Sequence, residues 1–323
     1  VRALGIGKTM IALTIASICL LVVIVLSGIA LAEARALRVT RLSIAMPHWP
    51  GQADSVRIAH ISDLHLPRLP VPLHRLLDAV DEIDPDIVVI SGDTVARDED
   101  VHAAVSLIQR LAAHGPVLCV TGNIERMHGL DVNAFGEAIE AVGGLLLRDA
   151  HWRGTANGAK LCVLGLERRA VGMPDLESML AEAPDADVTI VVGHLPSLWL
   201  HMPRERTHLF LCGHTHGGQL RMPVLGRLLA HSRTEWKLKS GILELPEQGG
   251  DWAALRRVFT HEELCDDDAV RHCHLREGRP LMCVSRGVGS VLFPMRLGSP
   301  PEVIGITIEG EAAGDASGGT EVG

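Results

Sequence analysis

The chain has 323 residues, 47% of them hydrophobic, and a formal net charge of -9. That length suits one large domain or two small ones with a substantial core. An acidic balance with no long basic run excludes nucleic acid as the default partner, because phosphate-backbone binding needs clustered Lys and Arg.

Residues 1–9 form a short flank. From Met10 to Ala32 no residue is charged. The run is long enough to cross a bilayer core of about 30 Å. A retained transmembrane helix is the reading its length favours. A cleaved signal, with LAEA as the cleavage candidate, is the alternative. Arg2 and Lys8 precede the run, and Arg35, Arg38 and Arg41 follow it. The positive-inside rule tilts the downstream domain toward the cytoplasm.

Residues 33–55 read as a connector with one short strand, and the soluble domain spans 56–309. Leu73, Leu76, Leu77, Val80 and Ile83 lie at helical spacing, and Pro85 limits that helix. Val101, Val105 and Ile108 give a second stripe. Phe135, Ile139 and Val142 give a third, ended by Gly143-Gly144. Between and beyond them stand short apolar runs: Ile87 to Ile90, Val117 to Val120, Leu161 to Leu166, Thr189 to Val192 and Leu209 to Cys212. Alternating strand and helix predicts an α/β domain. The sparser helices beyond Leu161 predict a partly mixed sheet. Residues 240–280 are more polar and read as an insertion or cap. Residues 310–323 read as a disordered tail. The seven Cys show no CxxC pair, so disulfide stapling is not expected.

The informative pattern is a strand that ends in a metal-binding candidate, repeated along the chain. IAHIS leads to Asp63, with His65 two residues on. IVVISG leads to Asp93, VLCVTG to Asn123, and TIVVG to His194. LFLCG leads to His214, with His216 two residues on. Strands of an α/β sheet bind ligands in the crevice at their carboxyl ends, so residues distant in sequence converge there. Each piece alone is weak; the five together in order point to a metal site. Two Asp, one Asn and four His suit Mn²⁺, Zn²⁺ or Fe better than Ca²⁺. Seven ligands exceed what one ion needs, and paired ions are typical of phosphate-ester hydrolysis.

These residues resemble the calcineurin-like metallophosphoesterase superfamily, whose signature runs D-x-H, G-D, G-N-[HD or HE], G-H and G-H-x-H. Here they are Asp63-Leu64-His65, Gly92-Asp93, Gly122-Asn123-Ile124-Glu125, Gly193-His194 and Gly213-His214-Thr215-His216. The run GHTHGGQLRMP from Gly213, and SRGVG from Ser285, resemble the membrane-associated bacterial branch that includes UDP-2,3-diacylglucosamine pyrophosphatases. The resemblance implies a four-layer α/β/β/α sandwich, here preceded by the transmembrane helix. It implies one metal on Asp63, His65 and His216, another on Asn123, His194 and His214, and Asp93 bridging them. A metal-bridging hydroxide would attack phosphorus in line, with Asp93, Asn123 and His194 as the catalytic candidates.

One departure stands out. The family usually places His directly after the Asn, where it steadies the transition state or protonates the leaving group; this chain has Ile124. Glu125, His128 or water are the possible substitutes. A leaving group that is already a weak base gains little from a general acid, so Ile124 tilts the reading toward a phosphoanhydride or activated ester. Arg221 and Arg286 are candidate substrate-phosphate contacts, by guanidinium geometry. Gln219 is read as orienting its loop, and His272-Cys273-His274 as part of the polar insertion. The function expected is a di-metal phosphohydrolase acting on a membrane-derived or nucleotide-linked substrate. The alternatives are a general phosphomonoesterase or cyclic-nucleotide phosphodiesterase, and a non-catalytic metal-binding scaffold. No nucleic-acid or protein partner is expected.

Overall fold

The uncharged N-terminal run folds as one helix, α1 (Arg2–Glu33), in the computed structural model. The structure describes residues 2–167, 176–181, 186–202, 204–221, 238–247, 253–265 and 269–311. Met10–Glu33 has a mean hydropathy of 2.9 and is long and apolar enough to cross a membrane. Its 24 residues extend about 36 Å at the rise of an α-helix.

The chain then enters β1 (Arg38–Met46) and β2 (Val56–Ile61). Helix α2 (Leu73–Ile83), strand β3 (Ile87–Ile90), helix α3 (Val101–Leu111) and strand β4 (Val117–Cys119) follow. A single turn, α4 (Ile124–Met127), precedes α5 (Val132–Glu140). Next come β5 (Gly144–Leu146), β6 (Ala150–Ala156), β7 (Ala159–Gly165), α6 (Leu176–Ala181), β8 (Val188–Val192) and β9 (Leu209–Cys212). The last strands are β10 (Gly241–Glu244), β11 (Arg256–Phe259), β12 (Val270–His274), β13 (Leu281–Val284) and β14 (Glu302–Gly310). They form two seven-stranded sheets, ordered β12-β1-β14-β2-β3-β4-β5 and β11-β10-β13-β9-β8-β7-β6.

Strand periodicity explains the stacking. Side chains alternate between the two faces of a strand. Val89 of β3 and Ile190 of β8 share one buried cluster with Ile58, Val163 and Leu211, so the two sheets face each other. Val88 and Ile90 point the other way, onto Leu76 of α2, Ile108 of α3 and Phe135 of α5. On the far side Val191 and Phe210 meet Leu176 and Leu180 of α6 and Trp199. Strands buried on both faces read as continuous apolar runs, which is the character of IVVI and TIVV.

Two layout expectations change. The expected connector at 33–55 supplies β1, which pairs parallel with β14 on one side and β12 on the other. The expected insertion at 240–280 supplies β10 and β11 of the second sheet and β12 of the first. His272-Cys273-His274 therefore lies on an edge strand, alternating exposed and buried. Strand β14 reaches Gly310, and of the expected tail, residues 312–323 lie outside the described residues.

Strand direction carries a consequence for the site. Because β1 is parallel to β14 and β14 antiparallel to β2, β1 runs against β2. The start of β1, and so the base of α1, lies at the rim where β2 ends. A cavity of about 580 Å³ lined by Met46, Trp49 and Glu309 opens at the opposite rim.

A chain beginning at Ala53 lacks β1 and exposes the nine-residue edge of β14. Unpaired apolar edges invite aggregation. That chain is expected to be insoluble or to melt without a cooperative transition. A chain beginning at Glu33 is expected to melt in one transition, by circular dichroism.

Candidate metal centre

Each candidate ligand sits just past a strand on the shared rim: Asp63 and His65 after β2, Asp93 after β3, Asn123 after β4, His194 after β8, and His214 and His216 after β9. Ladder-like bonds carry the loops past the sheet. Asp63 N–H donates to Gly92 O (3.0 Å) and His65 N–H to Asp93 O (2.9 Å). Gly193 N–H donates to Leu211 O and Gly213 N–H to His194 O, both at 3.1 Å. Two glycines permit the close approach. A Cβ at Gly122 would run into the Asp93 carboxylate, and one at Gly213 into Ser62 and Asp63.

The backbone at the ligands is strained. Asp63, His65, Asp93, His214 and His216 all have positive φ, at 54°, 50°, 53°, 72° and 49°. Non-glycine residues rarely adopt that region, and each instance costs about 1–3 kcal/mol. Five instances on five proposed ligands mark a place where the surrounding packing fixes side-chain direction at the expense of local comfort.

The side chains gather into two adjoining groups, Asp63, His65 and His216 in one and Asp93, His194 and His214 in the other. Within each, the candidate ligand atoms lie within 4.8 Å of one another. His216 Nε2 is 3.3 Å from Asp63 Oδ1. His194 Nε2 is 3.2 Å from Asp93 Oδ2, and that carboxylate oxygen is also 3.8 Å from His65 Nε2. Asp93 thus stands between the groups. Asn123 Oδ1 joins the second group, 3.1 Å from His194 Nε2. All seven sequence-predicted ligands therefore meet.

The donor set fits cations. His194 Nδ1–H donates to Ser91 O at 2.9 Å, which turns its Nε2 toward two oxygen acceptors, Asp93 and Asn123. In the first group, His65 Nε2 faces His216 Nε2 at 3.1 Å. Two neutral imidazoles at that distance can share one proton or, with both lone pairs turned inward, one cation. Burial lowers both His65 and His216, the latter to about 3, despite the nearby carboxylates. Protonation is therefore disfavoured there, and a metal ion answers the geometry better. Burial would also lower His194, but Asp93 beside it outweighs burial and raises it to about 10. For Asp63, burial pushes upward and is overcome by His216 and His194, so its carboxyl is held below the usual range. Mixed nitrogen and carboxylate donors suit a divalent transition metal.

Several residues brace this centre. Asp63 accepts His214 N–H at 3.0 Å, and Asp93 Oδ1 accepts Ile124 N–H at 2.9 Å. Residue 124 thus orients Asp93 through its backbone, whatever its side chain. Glu125 is fully buried and accepts Thr94 N–H (2.6 Å) and Gly122 N–H (2.9 Å). Burial, and then Asp93, push it up to about 7. It ties the Asp93 and Asn123 loops together from behind.

The expected phosphate contacts differ from one another. Arg286 is fully buried and its guanidinium meets Glu302 at 2.6 Å, so it is part of the core. Arg221 is partly exposed and pairs with Glu262 at 2.9 Å. Arg296, a weaker phosphate-contact candidate by the same guanidinium argument, is likewise fully buried. It donates to Arg286 O (2.9 Å), Gly287 O (3.1 Å), Gly289 O (3.0 Å) and Ser299 O (3.1 Å), and reaches His216 Nδ1 at 3.3 Å.

A family model described as calcineurin-like phosphoesterase matches residues 56–218. The chain is 24% identical over 284 residues to the uncharacterized metallophosphoesterase YkuE of Bacillus subtilis, covering 86% of this chain and 87% of that one. It is 32% identical over 193 residues to the phosphodiesterase YaeI of Escherichia coli, covering 56% of this chain and 68% of that one. It is also 29% identical over 200 residues to a transmembrane protein with metallophosphoesterase domain of Danio rerio, covering 57% of this chain and 45% of that one. The chain spans under half of this last relative.

Arg296→Met leaves buried carbonyls without a donor and releases the loops behind His216. It is expected to destabilise the domain by about 3 kcal/mol, at the upper end for an unsatisfied buried group. It is also expected to weaken Mn²⁺ binding by roughly tenfold to a hundredfold. Denaturant unfolding and titration calorimetry would measure the two effects.

Proposed function

We propose a function from one premise: the chain belongs to the calcineurin-like phosphoesterase family. The reading is a membrane-held di-metal phosphohydrolase. One observation carries it, the adjoining pair of ligand groups with the Asp93 carboxylate between them. Asp63, His65 and His216 would hold one ion, and Asn123, His194 and His214 the other, with Asp93 shared. Divalent ions bound there, Mn²⁺, Zn²⁺ or Fe²⁺, would supply positive charge for the phosphoryl oxygens and an activated water for in-line attack on phosphorus.

The chain's own groups set what can be cleaved. Asn123 turns its carbonyl oxygen to His194 and its amide nitrogen to Met127 Sδ (3.7 Å), so its amide is engaged at both ends. Ile124 offers only its N–H, already given to Asp93. Glu125 is engaged by two backbone donors. Of the substitutes considered, His128 is exposed, one helical turn beyond Ile124. The arrangement favours substrates whose leaving group needs no protonation: phosphoanhydrides and activated esters.

The apolar helix supports a membrane location, with the catalytic domain cytoplasmic by the balance of Lys and Arg around the span. A nucleotide-linked, diacylated sugar, of the kind cleaved by UDP-2,3-diacylglucosamine pyrophosphatases, combines a lipid body with a phosphoanhydride linkage, and attack on one of its phosphorus atoms releases a phosphate monoester that needs no protonation to leave. The scaffold alternative fits less well. A scaffold has little reason to keep all seven ligands of a di-metal set together.

The full chain supplied with Mn²⁺ is expected to bind two ions by elemental analysis and to turn over bis-p-nitrophenyl phosphate. Asp93→Ala is expected to lower that rate on the order of a hundredfold or more, beyond what losing a supporting residue costs. Metal bound without turnover across a broad panel would favour the scaffold. Across a series of aryl phosphodiesters, the rate is expected to fall steeply as leaving-group pKa rises. Equal rates along the series would defeat the leaving-group argument.

A further inference from the structure

The described large apolar side chains exposed outside α1 are Leu73, Met127, Leu200, Val270, Leu292 and Phe293. Only Leu292 and Phe293 are consecutive, and Leu292 is the most exposed of all, at 85%. Their loop, Val288 to Met295, carries no charge. Exposed apolar pairs of this kind mark contact surfaces, and the structure indicates what contacts this one.

The loop is held at its base. Gln219 Nε2 donates to Val291 O, and Val291 N–H donates to Gln219 Oε1, both at 2.9 Å. Gly289 N–H donates to Asp63 O at 2.7 Å. On the far side Leu297 N–H donates to Gln219 O at 2.8 Å, so the tip between is presented outward, with Leu292 at φ 61°.

The same loop receives the end of α1. Arg296 N–H donates to Ala30 O at 2.9 Å. The Glu33 carboxylate accepts Ser299 N–H at 2.7 Å and Gly298 N–H at 3.1 Å. Along α1, Met10 to Val25 stay exposed, whereas Ser27, Ala30, Leu31 and Ala34, one helical face, are covered. The helix therefore projects away from the domain until its last two turns. Arg296 marks the level at which it leaves. Phe293 is three residues from Arg296 and Leu292 four, so both lie within about 14 Å of that level.

We propose that Leu292 and Phe293 dip into the bilayer beside α1 as a second membrane contact. The rim bearing Asp63, His65 and His216 then lies against the membrane surface and meets phosphates presented at headgroup level. The occupant of this surface is lipid, because the loop is continuous with the base of the apolar helix. The proposal rests on the reading of Met10–Glu33 as a membrane span.

The test uses the full chain in nanodiscs of phosphatidylcholine and phosphatidylglycerol. Phe293→Cys and, separately, Leu292→Cys are made in a Cys19→Ser background and labelled with a polarity-sensitive fluorophore. His48→Cys is the comparison site: it is exposed and follows β1 at the opposite rim. Signal from the Cys19→Ser parent is subtracted. The expected result is blue-shifted emission, quenched by doxyl-labelled lipid, at 293 and 292 but not at 48. Aqueous, unquenched emission at both 292 and 293 overturns the inference. Carbonate extraction of the same full chain from membranes separates the two failures. A chain that resists extraction while its loop labels read water loses only this inference, and a chain that extracts loses the membrane span itself.

Discussion

The structure turns on burying two carboxylates, Asp63 and Asp93, at the seam of two sheets. Buried charge is tolerated only when paired, and here the partners are imidazoles placed to share cations with the two carboxylates. That demand explains the surroundings. Backbone N–H groups of His214 and Ile124 are spent on the two carboxylates. Two glycines yield the space the Asp side chains occupy. Five residues accept left-handed backbone to aim at one point. None of these features aids folding by itself; together they hold a donor set whose balance is completed by divalent ions.

Support for that donor set comes from behind, through residues that no ligand motif includes. Glu125 joins the loops after β3 and β4, and Arg296 joins the loops after β9 and β13. Both are charged and fully buried. Each is engaged by backbone groups, so their charge is spent on loop geometry more than on neighbouring charges. Backbone partnership also explains how the chain accommodates Ile124. What the centre takes from that position is an N–H, and any residue but proline supplies one. The side chain is free to differ, at the cost of whatever proton chemistry a histidine would bring.

Much of this was legible in the sequence. The helices at 73–83, 101–111 and 132–140 follow from spaced apolar residues, and the doubly buried strands from short β-branched runs. The ligands were legible because each follows such a run. Strand β1 was legible only as a short strand in a connector: RVTRLSIAM carries two Arg and follows the apolar helix, so nothing in its composition announced an inner position in the sheet. Strands β11 and β12 were hidden for the opposite reason, since they are sheet edges where polar side chains are tolerated, and β10 is a buried strand of only four residues. Arg286 misled because a guanidinium suits phosphate as well as it suits Glu302, and only burial distinguishes the two.

Topology links the anchor to the chemistry. Had β1 run parallel to β2, α1 would meet the sandwich at the rim that holds the cavity lined by Met46 and Trp49, far from the ligands. Because β1 instead pairs parallel with β14, which opposes β2, the helix arrives at the metal rim. Its last turn caps the loop whose Arg296 touches His216. The direction of one strand is thus sufficient to set the apolar helix beside the candidate metal centre, and the proposed membrane-held reading rests on that placement.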